Sequence, residues 1–223
     1  FDDRLIVKDD FFDSHDLPES VVIFGAGVIG LELGQALHRL GVRVSLFGRD
    51  YLVGPLTDDV VKFKARETFM DEFPFYPHGE VTRMENVGDH VEIDFVEDGE
   101  TKTDRFEYAL IATGRRPNVD KLGLENTSIK LDERGVPHFV LATGQTSASH
   151  IFIAGDAGNN IPLLHEAADE GKIVGYNAAR YTEIRAFTKS SPIAVMFSDP
   201  QIMMVGESYK ALEKRNANFA VGS

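Results

Sequence analysis

Val21-Val22-Ile23-Phe24-Gly25-Ala26-Gly27-Val28-Ile29-Gly30-Leu31-Glu32-Leu33-Gly34 decides the fold class. The apolar run Val21 to Phe24 meets glycine abruptly, as a buried parallel strand does. From Val28 to Leu40, apolar residues fall at Val28, Ile29, Leu31, Leu33, Ala36, Leu37 and Leu40, and predict a helix with a broad buried face. Gly41 closes that helix, and Val42 to Phe47 reads as the next strand. Strand, glycine turn, helix and strand within ~30 residues make a βαβ unit. The fold class is therefore α/β with a parallel sheet.

The turn itself, Gly25-Ala26-Gly27-Val28-Ile29-Gly30, has the GxGxxG spacing. Gly25 suits a tight turn, Gly27 lets the backbone approach a pyrophosphate, and Gly30 allows helix to pack closely on strand. The helix N-terminus adds free N–H groups and the positive end of a dipole. A glycine turn can serve packing alone, but these flanking elements favour dinucleotide binding. The end of the second strand bears on which dinucleotide. A carboxylate there bonds the ribose of NAD, whereas this chain has Gly48, then Arg49 and Asp50. A guanidinium in place of a carboxylate suits the 2′-phosphate of NADP. Asp50 leaves NAD open.

Outward from this unit, a second helix is expected after Thr57, with Val60, Val61, Phe63 and Phe69 available for burial. The period then changes to two. Val91, Ile93 and Phe95 alternate with polar residues between the turn signals Gly88-Asp89 and Asp98-Gly99, which predicts an antiparallel meander from Val81 to about Phe106. A strand from Tyr108 to Ala112 follows. Arg115-Arg116-Pro117-Asn118 breaks the pattern and marks a boundary. Ile151 to Ala154 reads as a strand running into Gly155-Asp156, which puts a carboxylate where α/β ligands bind. Pro162-Leu163-Leu164-His165 opens a helix that extends to about Ala179. Ser190-Ser191-Pro192 marks a second boundary, before a strand from Ile193 to Phe197. The Met203-Met204 pair is expected to fill a core.

Composition excludes several functions. With 23 Lys and Arg against 36 Asp and Glu, the formal charge of −13 repels nucleic acid and anionic membranes. No apolar run approaches the ~18–20 residues that span a bilayer, and no signal peptide opens the sequence, so a cytoplasmic protein is expected. Cysteine is absent, so the chain itself brings no thiolate nucleophile or disulfide. The histidines show no paired ligand spacing, and no metal site is expected.

These motifs, in this order, resemble the pyridine nucleotide-disulfide oxidoreductases, and within them the dihydrolipoamide dehydrogenase type most. The resemblance implies four segments. Residues 1–20 would connect from a flavin-binding domain, and 21–114 would form the NAD(P)-binding domain. Residues 115–190 would complete the FAD-binding domain, and 191–223 would begin the interface domain. It further implies that Gly25, Ala26, Gly27, Val28, Ile29, Gly30 and Glu32 hold the dinucleotide, with Glu32 and Val28 near the nicotinamide. Val81 and Gly114 would touch its adenosine side. Asp156 would bond the ribityl chain of FAD, and the backbone at Leu163, Leu164 and His165 would approach the flavin ring, where a helix N-terminus stabilises negative charge.

The implied activity is hydride transfer between NADP or NAD and FAD, with a small-molecule or disulfide acceptor, in a homodimer. A soluble pyridine nucleotide transhydrogenase and a non-catalytic dinucleotide-binding redox module are the alternatives. The family's first flavin motif, its redox-active cysteine pair and its C-terminal His-Glu pair have no match here. An internal segment, inactive by itself and weak in FAD binding, is the expectation.

Overall fold

The computed structural model describes residues 4–222. The chain divides into two compact units, one formed by Phe1–Gly114 with Ile193–Ser223 and the other by Arg115–Pro192. No helix among the described residues is long and apolar enough to cross a membrane.

The first unit is built on a parallel sheet of five strands, β1 (Leu5–Ile6), β2 (Ser20–Phe24), β3 (Arg43–Phe47), β4 (Phe75–Tyr76) and β8 (Tyr108–Ile111), in the order β1-β8-β2-β3-β4. A short helix, α1 (Lys8–Phe12), joins β1 to β2; α2 (Val28–Arg39) joins β2 to β3, and α3 (Asp59–Glu72) joins β3 to β4. Side chains alternate across β2 and give the unit its layers. Val21 and Ile23 share one core with Leu31 and Leu37 of α2 and with Phe69 of α3. Val22 faces the opposite side, in a second core with Val91, Ile93, Phe95 and Phe106. Those last four belong to the meander of β5 (Glu80–Asn86), β6 (Val91–Glu97) and β7 (Glu100–Phe106), which pair antiparallel in that order. The parallel sheet is thus buried on both faces, which is why its strands read as apolar runs.

Two helices present different faces from those the sequence suggests. In α3, Val60, Val61 and Phe63 are exposed, at 78%, 49% and 52%, while Phe69 is buried. The inward stripe is Lys62, Ala65, Arg66 and Phe69, at the helical spacing i, i+3, i+4, i+7. Asp58 caps the helix by accepting the Val61 N–H at 2.9 Å, and the two charged residues of the stripe are half-buried. Leu40, the C-cap of α2, is exposed, and Gly34 and Gln35 complete the buried stripe of that helix instead.

The segment after Pro192 completes this first unit. Strands β11 (Ile193–Met196) and β12 (Ile202–Val205) pair antiparallel and lead to α5 (Tyr209–Lys214). Met196 is fully buried in the core of α2 and β3, and Met204 packs against that core, whereas Met203 is 61% exposed. Polar contacts tie the hairpin to α2. Gln35 Oε1 accepts the Asp199 N–H at 2.7 Å, and Arg39 Nη1 lies 2.9 Å from the Asp199 carboxylate.

The second unit is loop-rich. It contains the strand pair β9 (Phe139–Val140) and β10 (Gln145–Thr146), a 3-10 turn at Gly155–Gly158, and the helix α4 (Leu164–Ala179). The expected strand at Ile151 to Ala154 is reduced to a single bridge between Phe152 and Gln145. A ladder needs consecutive partners, and among the described residues only Gln145 pairs with this segment. The buried face of α4 is mainly polar, with Glu166, Glu170 and Asn177 beside Ile173. Asn177 is satisfied there: its amide donates to the Thr143 and Arg185 carbonyls, both at 3.0 Å, and accepts the Arg185 N–H at 2.9 Å.

Candidate functional site

Strands β2, β3 and β8 run the same way and end at one edge of the first unit, where Gly25, Gly48 and Gly114 follow. Each of the three glycines of the first turn meets a different requirement. Gly25 has φ +113°, and its N–H donates to the Phe47 carbonyl at 2.8 Å. A Cβ on Gly25 would lie 2.4 Å from the Ala112 carbonyl oxygen, and one on Gly30 would lie 1.9 Å from that of Gly25. A Cβ on Gly27, by contrast, would meet no atom within 4 Å beyond its own helix and chain neighbours. Gly27 is the N-cap of α2, and among the described residues no side chain caps the first turn of that helix. Its unpaired N–H groups are therefore available to a ligand.

A cleft of about 640 Å³ opens at this edge, and Gly25, Ala26, Gly27, Arg49 and Gly114 line it. The loop after β3 forms another part of its wall: the Gly54 N–H donates to the Ala26 carbonyl at 2.8 Å, which brings Leu52, Leu56 and Thr57 to the cleft. Gly48 lies behind the lining, and a Cβ there would be 3.0 Å from the Ala26 side chain and 3.1 Å from the Pro77 carbonyl oxygen. A bulkier residue at 48 would have to push one of them away. Arg49 and Asp50 form an exposed ion pair at 3.4 Å, weak enough in water for either to turn to a ligand.

Other predicted residues lie elsewhere. Val28 and Ile29 are half-buried in α2, and Val28 packs on the core. Glu32 points to the C-terminal hairpin, where its carboxylate accepts the Phe197 N–H at 2.6 Å. Val81 lines a separate, shallower hollow of about 460 Å³ with Phe24, Arg83 and Thr113. Two residues missed in the sequence, Lys62 of α3 and Lys210 of α5, line the main cleft. The inward rotation of α3 is what brings Lys62 there.

In the second unit, Asp156 stands at the start of the 3-10 turn and is held by Arg115, whose Nη1 donates to its Oδ2 at 2.9 Å. The same guanidinium donates to the Pro162 carbonyl and so joins the turn to the approach of α4. Leu163 is the N-cap of α4 and provides no side-chain cap; Leu164 is 88% exposed and His165 is exposed. Asp156 and this uncapped helix end are thus linked through one arginine. A further support was not anticipated. The Gly155 N–H donates to Glu170 Oε2 at 2.8 Å, and Lys189 Nζ lies 2.6 Å from Glu166 and 2.9 Å from Glu170. Burial alone lowers the Lys189 pKa, but its bonds to the two carboxylates outweigh that and raise it. The ammonium stays charged and neutralises the acidic face of α4. The i, i+4 glutamate pair was the available signal, and it reads equally as a solvated face.

Dihydrolipoyl dehydrogenase from Geobacillus stearothermophilus is 30% identical over 207 residues, 92% of this chain and 43% of its own length. The mitochondrial dihydrolipoyl dehydrogenase of Caenorhabditis elegans is 32% identical over 211 residues, 92% of this chain and 42% of its own. The chain thus spans less than half the length of these relatives. Among solved structures, LpdA from Mycobacterium tuberculosis superposes with a TM-score of 0.78 at 26% identity, over 96% of this chain and 46% of that one. The flavoprotein disulfide reductase RclA from Escherichia coli shares the fold, with a TM-score of 0.79 at 21% identity over 97% of this chain and 49% of that one. The family model described as pyridine nucleotide-disulphide oxidoreductase matches residues 1–171, and that match makes this chain a member of the pyridine nucleotide-disulphide oxidoreductase family.

Proposed function

We propose that this chain is the dinucleotide-binding core, with part of the flavin-binding region, of an FAD-dependent oxidoreductase. The whole protein would pass hydride between a nicotinamide dinucleotide and the flavin, act on a disulfide or small-molecule acceptor, and assemble as a homodimer. One observation carries this reading. The cleft at the carboxyl ends of the parallel strands joins an open backbone at Gly27, an uncapped helix end and basic side chains, in a chain of net charge −13. Such a cleft suits a ligand with several phosphates.

Within this reading, the N–H groups at Gly27 to Gly30 bind the pyrophosphate, and Gly114 borders the adenosine. Bound flavin supplies the hydride-accepting ring. In the second unit, Asp156 bonds a ribityl hydroxyl and Arg115 fixes its orientation. The N–H groups of Leu164 and His165 offset the negative charge of a reduced ring. Glu170 holds the Gly155 amide and so keeps the turn in shape.

Gly48 and Arg49 favour NADP over NAD. Because the Arg49 side chain is 91% exposed, its contact with a 2′-phosphate is set at the low end of charge-assisted bonds, about 1.5 kcal/mol or ~10-fold. NAD is the second reading, favoured by Asp50 in the same cleft and by the likeness to dihydrolipoyl dehydrogenases. The test is anaerobic mixing of the FAD-loaded full-length protein with NADPH or NADH, followed by flavin bleaching, with Arg49→Ala alongside. Bleaching that needs ~10-fold more NADPH in the variant, with NADH little changed, is expected. No bleaching by either cofactor refutes the oxidoreductase reading. An unchanged NADPH requirement in the variant refutes only the preference.

A further inference from the structure

The main cleft collects positive charge from three separate elements. Its charged lining consists of Arg49 after β3, Lys62 of α3, Lys210 of α5 and one carboxylate, Asp50. Across the chain, acids outnumber bases 36 to 23, so this excess of cations is contrary to the overall composition. Arg49 was expected from its place at the end of the second strand. The two lysines come from elements distant in sequence, and each is brought to the cleft by its own contacts.

Lys62 lies on the inward stripe of α3 with Ala65 and Phe69, and its side chain is only 24% exposed. Its acidic partner is Asp59, one turn earlier at 2.6 Å, which is itself 92% exposed. A carboxylate so open to water compensates a half-buried lysine only weakly. The cleft side of Lys62 therefore has the charge to take a second anion. Lys210 is delivered by the C-terminal segment. Its N–H donates to Thr57 Oγ1 at 3.3 Å, and Thr57 is itself part of the cleft wall. The side chain of Ser208 caps α5 by accepting the Ala211 N–H at 3.3 Å. Upstream, buried Met196 and the bonds of Asp199 to Gln35 and Arg39 fix the same segment on α2.

We infer that Lys62 and Lys210 are phosphate-binding residues of the dinucleotide cleft, so that the C-terminal segment contributes directly to cofactor binding. The inference rests on the reading of this cleft as a dinucleotide site. Lysine suits this role because a compact charge on a flexible stem can follow a phosphate without the fixed fork of arginine. Exposed Lys210 and sheltered Lys62 each account for about three- to tenfold in affinity, by the scale of partly screened charge pairs.

The experiment titrates NADPH and NADH into the FAD-loaded full-length protein and its Lys62→Gln, Lys210→Gln and Lys64→Gln variants, at low and high salt. Lys64, 78% exposed and outside the cleft lining, is the control for bulk charge. Expected are about three- to tenfold weaker binding in each of the first two variants, a shallower salt dependence, and no change with Lys64→Gln. Equal losses for both cofactors assign the lysines to the pyrophosphate, and a loss confined to NADPH assigns them to the 2′-phosphate. Restoration by Lys62→Arg separates charge from packing. Unchanged affinity in both cleft variants, or an equal loss with Lys64→Gln, overturns the inference while the dinucleotide reading stands. If the unmodified protein binds neither cofactor, both fall together.

Discussion

Replacing Gly30 with alanine tests whether the glycine turn is built by packing or by ligand contact. A Cβ at Gly30 would stand 1.9 Å from the Gly25 carbonyl oxygen and 3.4 Å from the Ala112 side chain. The near atom is backbone and cannot rotate aside, so α2 must move off the sheet to restore an ordinary contact. That helix packs tightly, with Leu31 and Leu37 buried, and a Cβ on Gly34 would already lie 3.3 Å from Leu46 and 3.4 Å from Ile23. Overpacking of this kind costs ~1–3 kcal/mol, and a backbone clash belongs at the top of that range. For a chain of this size, ~3 kcal/mol corresponds to a fall in melting temperature of roughly 6–12 °C. Gly27→Ala is the contrasting change, because the added Cβ would meet nothing within 4 Å beyond its own helix and chain neighbours and φ is −75°. Its loss of N-cap preference costs below about 1 kcal/mol, but its methyl enters the cleft. Thermal unfolding and cofactor titration of the two variants are expected to separate. Gly30→Ala melts much lower, whereas Gly27→Ala keeps its melting temperature and loses at least ~10-fold in dinucleotide affinity. A Gly30→Ala protein that melts within about 2 °C of the unmodified chain, equivalent to under ~1 kcal/mol, would refute the packing argument. So would a Gly27→Ala protein that melts equally low.

Other consequences follow from the ionic contacts. Lys189→Met leaves Glu166 and Glu170, 7% and 5% exposed, without their cation, and denaturant unfolding is expected to lose ~3–5 kcal/mol. Because the Lys189 pKa is raised above the ordinary 10.5, its contribution is full below that pH and disappears as pH rises through the raised value; the variant and the unmodified chain therefore converge in strong base. At the acid end, bonds from Arg39 chiefly, and also from Gln35, hold the Glu72 carboxyl below its usual 4.5. That contribution is present above pH 4.5 and is lost as pH falls through the lowered value. Arg39→Leu is accordingly expected to lower the melting temperature at neutral pH, with the difference shrinking in acid; a difference that stays constant would count against the Arg39–Glu72 pair.

Much of the fold was legible because its signals are local. The apolar run at Val21 to Phe24 and the glycines that follow specify a buried strand and turn from a few neighbouring residues. The alternation of Val91, Ile93 and Phe95 specifies a half-buried meander in the same way, and those side chains are buried against Val22 and Phe47. The turn at Gly155-Asp156 and the start of α4 were also readable, since backbone conformation there follows from the residues present.

Tertiary structure decided which face of each helix turned inward and which distant segments met. By hydrophobicity, Val60, Val61 and Phe63 should have faced the core, yet Asp58 caps the start of α3, and Phe69 enters the core that holds Leu31, which puts Lys62, two turns earlier, on the inward side. Glutamates at 166 and 170 read as a solvated stripe until Lys189 arrives from beyond the end of the helix to neutralise them. The segment Ile151 to Ala154 has the composition of a strand but only one bridge, because a ladder is a property of two segments and not of one. The cleft follows the same rule. Its glycines could be identified from their spacing, whereas Lys62 and Lys210 lie far apart in the sequence and share a wall only because Thr57 and the C-terminal helix meet. Local chemistry is encoded within a few residues of itself; the company a side chain keeps depends on long-range contacts, whose energies no single segment carries.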